Sequence, residues 1–159
     1  MSDYLYFDEL QVGQKWHSPA RTVTETDVVN FAGLTWDFDP LHTDHEFARQ
    51  TPFRQPIAHG LLGLSFLAGL SSTAPRIRTA ALVAVTDWKF LKPIFFGDTV
   101  HVVTEVTEKR PNGRRTGRVL WKRQLVNQKG EVVQEGTIET LVSTLLARPA
   151  KTAPASGVV

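Results

Sequence analysis

An α+β fold is predicted from two observations: one long apolar helix in the first half of the chain, and four extended, alternating stretches after it, separated by Gly-containing reversals. "VGQKWHSPARTVTETDVVNF" opens with a turn and passes through a short extended piece. Thr24, with Asp27 three positions on, then forms the pattern of a capping box. This predicts a short helix over residues 25–33, stopped by Gly33. Pro40 biases the residue before it away from helix. The acidic stretch "TWDFDPLHTDHEF", residues 35–47, is therefore expected to be loop, with "HTDHEFARQ" able to form a second short helix.

"IAHGLLGLSFLAGLSS", residues 57–72, is apolar nearly all the way round, which marks a helix buried on every side. Its glycines lower helix propensity, so they suggest close approach of backbone, substrate or another element. From residue 79 the period changes to two. Val100, Val102, Thr104 and Val106 alternate with polar neighbours, as do Val119, Trp121, Arg123 and Leu125. "PNGR" and "NQKGE" supply the reversals of an antiparallel sheet. The economical packing wraps that sheet round the apolar helix. One domain over residues 1–146 is expected, with residues 147–159, "ARPAKTAPASGVV", forming a mobile tail.

At 159 residues, with 42% apolar and 21% charged side chains, the chain has the balance of one globular domain. A net charge of +2 with scattered Lys and Arg gives no nucleic-acid surface; only "EKRPNGRRTGR" is locally basic. No cysteine is present, which excludes disulfides, thiolate nucleophiles and Cys-ligated zinc. The N-terminus has no basic, apolar leader and no apolar run reaches membrane-spanning length, so the expected location is the cytoplasm, away from membranes.

Residues 35–47 gather four carboxylates and two histidines into thirteen positions. Three readings compete. In a solvated loop, Asp39 and Asp44 would cap the turn and the next helix, and His42 would be a partly buried hydrogen-bonding residue. A metal site would use His42, Asp44 and His45, with His59, but His-x-Asp-His has no recognised ligand spacing. In an acid/base pair, Asp37 and His42 would converge on one water across a turn tightened by Pro40, with Phe38 and Leu41 shutting off bulk solvent.

"WDFDPLHTDHEFA" resembles the signature of the MaoC-like, (R)-specific enoyl-CoA hydratases, with Asp37, Pro40, Leu41, His42, Asp44 and Ala48 all matching. "YFDELQVGQ", "IAHGLLGLS" and "VTDWKFLKPIFFGDTV" are similar to further parts of that family, so the resemblance covers roughly residues 5–145. Asp39 stands where the family usually has Asn, and Trp36 where it usually has Gly. The resemblance implies a hot-dog fold, with the helix near Gly60 wrapped by the strands, and a homodimer or higher homo-oligomer.

It further implies reversible addition of water across C2–C3 of a trans-2-enoyl-CoA, giving the (R)-3-hydroxyacyl-CoA. Asp37 and His42 would be the catalytic pair, with Gly60 as backbone oxyanion donor at a helix N-terminus. Asp39, His59 and Ser65 are further candidates for the oxyanion and substrate site, His59 chiefly by orienting the turn. Leu62, Phe66 and Gly69 are candidate acyl neighbours. Lys89, Lys92, Arg114 and Arg115 are available to CoA phosphates, while Arg76 and Arg78 could meet a second carboxylate of a dicarboxylic substrate. No metal and no cofactor beyond the thioester are expected, and acyl carrier protein could replace CoA. An acyl-CoA thioesterase or a non-catalytic acyl-CoA binder are the rival readings, because fold does not fix function.

Overall fold

The protein is described here by a computed structural model covering residues 4–147. Six strands form an antiparallel sheet: β1 (Lys15–His17), β2 (Arg21–Thr22), β3 (Thr79–Phe90), β4 (Thr99–Asn112), β5 (Thr116–Val126) and β6 (Val132–Ser143). Their order is β1-β4-β5-β6-β3, with β2 also pairing β4. Both expected reversals carry a glycine in the left-handed region, Gly113 at φ 73° and Gly130 at φ 75°.

Four helices accompany the sheet: α1 (Glu25–Thr35), α2 (Pro40–Thr43), α3 (His45–Arg49) and α4 (Gly60–Ser71). The capping box of α1 forms as the spacing predicts. Thr24 Oγ1 accepts the Asp27 N–H at 3.2 Å, and the Asp27 carboxylate accepts the Thr24 N–H at 2.9 Å. Gly33, however, does not stop the helix. It continues to Thr35, whose hydroxyl donates to the Phe31 carbonyl, and ends at Trp36, held left-handed at φ 65° with its N–H on the Ala32 carbonyl. The 35–47 stretch is also less of a loop than its composition suggests: only residues 36–39 and Asp44 lie between helices, because Asp39 and Pro40 are good starting residues and begin α2 at once.

Helix α4 packs against β4 and β5 of the sheet. Leu62 and Leu67 pack with Val100, Val102, Leu125, Val133 and Ile138 in the main core. A second core lies at the far end of the sheet, where Phe7 and Leu10 cover Val106, Val119, Trp121 and Val142. There the Phe7 ring lies so close to Gly117 that any Cβ would stand 2.2 Å from it.

One expectation about α4 needs correcting. Within a single chain only the stripe Leu62, Gly63, Leu67 and Ser71 is buried, whereas Leu61, Ser65, Ala68 and Gly69 are exposed. The edge strand β3 is exposed along most of its length, with Leu82, Val83, Val85 and Phe90 uncovered. Among the described residues no helix is long and apolar enough to cross a membrane. Of the expected tail, residues 148–159 lie outside the described residues, while Ala147 ends a short 3-10 turn, Leu145–Ala147.

Candidate active site

The loop after α1 brings Asp37 beside two histidines. A carboxylate oxygen of Asp37 and one ring nitrogen each of His42 and His59 lie within 4.8 Å of one another. His42, on α2, is half-buried, and its Nδ1 sits 2.6 Å from the Ile57 carbonyl. A carbonyl only accepts, so Nδ1 carries the proton and Nε2 presents a free lone pair. His59 is fully buried and holds the same loop from below: its Nε2 donates to the Asp37 main-chain carbonyl at 2.9 Å. Its ring packs, tilted, against that of His42 with centroids 3.8 Å apart and against Phe31 at 5.1 Å. The three side chains thus form one unit: His59 anchors, while Asp37 and His42 face outward at a spacing that one water can bridge.

The unit overlies the start of α4. His59 is the N-cap, and its carbonyl accepts from Leu62 and Gly63, so the N–H groups of Gly60 and Leu61 have no carbonyl one turn behind them. Buried Gln134 fixes this end by donating to the Gly60 carbonyl at 2.9 Å. Space beside Gly60 is tight: a Cβ there would stand 3.0 Å from the Phe90 ring, which would have to shift slightly. Two clefts meet at this point, both lined by His42 and Gly60. One, of about 310 Å³, runs past Phe90, Lys92 and Gln134. The other, of about 300 Å³, holds Asp37, Phe31 and Leu61.

The remaining candidates separate. Asp39 is occupied as the cap of α2, accepting the Leu41 N–H at 2.8 Å, and lines neither cleft, so the structure gives it the capping role. Its own N–H reaches Asp37 Oδ1 at 3.4 Å. Asp44 caps α3, and His45 pairs with Glu25 at 2.7 Å on the surface. Neither joins His42, and the metal-like grouping contains Asp37 instead. Ser65 returns its hydroxyl proton to the Leu61 carbonyl and lies one turn further along α4, on a separate cavity of about 370 Å³. Of the other acyl candidates, Leu62 is core and Phe66 and Gly69 line a groove beside Arg21.

Lys92 reaches the cleft at His42 and pairs with Glu131, and Lys89 is exposed on β3. Arg114 and Arg115 sit in the β4–β5 reversal, the full length of β4 away from Lys92, and so cannot serve the same phosphates within one chain. Arg76 and Arg78 are exposed and line none of these cavities. Sequence reasoning missed Phe31, Ile57, Phe90 and Gln134. None of them stood out in the sequence: even Gln134 is one of several polar residues in β6.

A sheet wrapped round one helix, with an Asp and a His poised over that helix's first turn, defines a hot-dog domain with acid/base potential. The chain belongs to the MaoC-like domain family, whose model matches residues 9–127. It is 33% identical over 138 residues to an (R)-specific enoyl-CoA hydratase of Rhodospirillum rubrum, covering 86% of this chain and 91% of that one. A solved structure from Archaeoglobus fulgidus, described as a monoamine oxidase regulatory protein, superposes with a TM-score of 0.82 at 40% identity. It covers 89% of this chain and 95% of that one. A Mycobacterium tuberculosis protein with a double hot-dog fold superposes at 0.80 with 21% identity, over 98% of this chain and 53% of that one, which bears on the fold alone.

Proposed function

We propose that the protein is a hydro-lyase that reversibly adds water across the C2–C3 double bond of a trans-2-enoyl-CoA to give the (R)-3-hydroxyacyl-CoA. The observation that carries this reading is the placement of the Asp37 carboxylate and the His42 ring over the first turn of α4. In the hydration direction a water held between them attacks C3. One of the pair takes its proton, the other delivers a proton to C2, and the partners exchange roles in dehydration. Negative charge develops on the thioester oxygen, where the Gly60 N–H and the helix dipole are already aimed.

His59 is a positioning residue: by holding the Asp37 carbonyl and the face of His42 it keeps the two reacting groups in register. Lys92, at the mouth of the cleft, is available to the CoA phosphates. A thioester is activated enough for this chemistry without a further cofactor, so exhaustive chelation leaves turnover intact in this reading. Two imidazoles and a carboxylate could hold a cation, and loss of activity on chelation would replace the acid/base assignment. The cytoplasm, where acyl-CoA is turned over, fits this role.

The protein works as a homodimer in this reading. A long, apolar, unpaired edge such as β3 invites pairing with a second copy, which would cover Leu82, Val83 and Val85. Light scattering that found only monomer would remove this part.

The test is loss of enoyl-thioester absorbance with crotonyl-CoA, for wild type and Asp37→Asn side by side. Hydration by the wild type alone is the expected result. Free thiol release without hydration would mark a thioesterase instead, and equal turnover by the variant would overturn the role of Asp37.

A further inference from the structure

Four arginines gather at the end of the sheet remote from the catalytic pair. Arg76 and Arg78 lead into the start of β3, and Arg114 and Arg115 form the β4–β5 reversal. Strand β6 ends between them: the Arg78 carbonyl accepts the Ser143 N–H at 2.9 Å, and the Arg115 carbonyl accepts the Thr144 N–H at 2.9 Å. The two main-chain positions are thus two strand spacings apart, about 10 Å. All four residues are exposed, and among the described residues none of them pairs with a carboxylate. Three carboxylates on adjoining segments are engaged elsewhere: Asp8 accepts the Leu145 N–H, Glu9 accepts the Tyr6 N–H, and Glu139 is paired with Arg118.

Within one chain this cluster stands away from the catalytic cleft, but a second copy reverses that relation. When β3 pairs antiparallel with its own copy about a two-fold axis, the first half of one strand faces the second half of the other. Covering Leu82, Val83 and Val85 of both strands puts the axis near Val83 and Ala84. Counted outward from there, Arg76 falls opposite Leu91 of the partner subunit and Arg78 opposite Lys89 of the partner subunit. The bulges of β3 leave this count good to roughly two residues. Leu91 lines the cleft of His42 and Gly60, next to Lys92. Each catalytic cleft therefore opens toward the arginine end of the other chain.

Cations brought together across an interface with no carboxylate among them repel one another until an anion joins them. Guanidinium forks suit phosphate, which they take through paired hydrogen bonds. A cluster confined to the ends of neighbouring strands fits a compact polyanion better than an extended acidic surface. From its own chain the cleft lining carries one lysine, Lys92, already paired with Glu131. We propose that Arg76 and Arg78 of each chain, with Arg114 and Arg115 adding to the same positive field, hold the nucleotide phosphates of the CoA thioester bound in the partner's cleft. The binding site is then incomplete in a single chain. This rests on the hydratase reading and on its β3-paired homodimer, and the measurements are chosen so that each can fail by itself.

Arg76→Gln combined with Arg78→Gln should raise KM for crotonyl-CoA at least about tenfold with little change in kcat, the signature of lost uniform binding. The preference for crotonyl-CoA over crotonyl-pantetheine, which lacks the nucleotide, should shrink by the same factor. Arg76→Lys with Arg78→Lys should recover part of it. The decisive arm is a mixed dimer, co-expressed with two tags. It joins the arginine variant, which keeps Asp37, to an Asp37→Asn chain, which keeps the arginines. Its one competent cleft then faces intact arginines and should regain the wild-type KM. A KM that stays raised in the mixed dimer would put the arginines in cis and overturn the proposal, as would an unchanged KM in the double variant. Light scattering should find the double variant dimeric; monomers would mark the arginines as interface residues and also overturn it. Calorimetry with CoA alone needs no turnover. Binding weakened in the double variant, with no hydration of crotonyl-CoA by the wild type, would remove the hydratase reading and keep the arginine site, whereas hydration with unchanged CoA affinity would do the reverse.

Discussion

The two ends of helix α4 face different problems. At its first turn the groups are tied together: His42 Nδ1 is held by Ile57, the Asp37 main-chain carbonyl by His59 and the helix start by Gln134, with only His59 Nδ1 buried and unpartnered. Toward its last turn the surroundings are aliphatic and hydroxyl side chains, and the one charged group there, Arg123, has its Nε buried without a partner in the single chain. Preorganised groups suit a reaction centre, where reorientation during catalysis would cost rate. One helix thus has a preorganised end and an open end bordered by Leu82 and Val85, where a second copy would pair.

The strongest way to break this comparison is at the chemical end. His42→Ala should lower hydration at least about a hundredfold, as loss of a general acid/base group does. Combined with Asp37→Asn, the loss should fall well short of the product of the two single losses, because the pair handles one water. Steady-state kinetics of the three variants would show this. Fully multiplicative losses would mean that the two residues act on separate steps, and the supported cluster would then not be one unit.

The chemical end was legible in the sequence because its contacts are short-range. Asp37 and His42 are five residues apart, and the Thr24–Asp27 box and the Asp39 and Asp44 caps are spaced by two or three. The alternation of the strands was legible for the same reason. What escaped depends on distant pairing: Gln134 meets Gly60 across 74 residues, and the partnerless state of Arg123 follows only from the register that sets it between Thr104 and Gly136. Arg114 and Arg115 looked equivalent to Lys92 as cations until the length of β4 separated them. The end of α1 was misplaced because a glycine permits a helix stop without requiring one: the exposed last turn runs on to Thr35, and the left-handed turn falls on Trp36.

Packing offers the next test. At the supported end Gly63 has no room: a Cβ would stand 2.2 Å from Gln134 Nε2 and 2.7 Å from Ile94 Cδ1. Gly63→Ala should cost about 1–3 kcal/mol, the usual penalty of overpacking, and should lower activity by shifting the hold of Gln134 on Gly60. Chemical denaturation gives the first effect and crotonyl-CoA turnover the second. A neutral substitution would mean that Gln134 is not a rigid support.

Trp36 sets a smaller test of the same end. A left-handed conformation costs a non-glycine residue roughly 1–2 kcal/mol, and the Trp36 side chain is 85% exposed, so little packing offsets it. Trp36→Gly should raise stability by about 1 kcal/mol on that account. If stability instead falls, the indole must be covered by something outside the single chain, and its place beside the Asp37 loop would make that contact part of the site.

The smallest expected effect belongs to the other end. A Cβ at Gly69 meets nothing within 4 Å, and the residue lines the groove beside Arg21 and Phe66, away from the β3 edge where a second copy would pair. Gly69→Ala should therefore gain about 0.8 kcal/mol, the helix-propensity difference between the two residues, in contrast to the loss at Gly63 on the same helix. Thermal melting at several protein concentrations would check it. A loss that grows with concentration would show that the dimer reaches across α4 as well as along β3, and the open character assigned to this end of the helix would have to be given to the isolated chain alone.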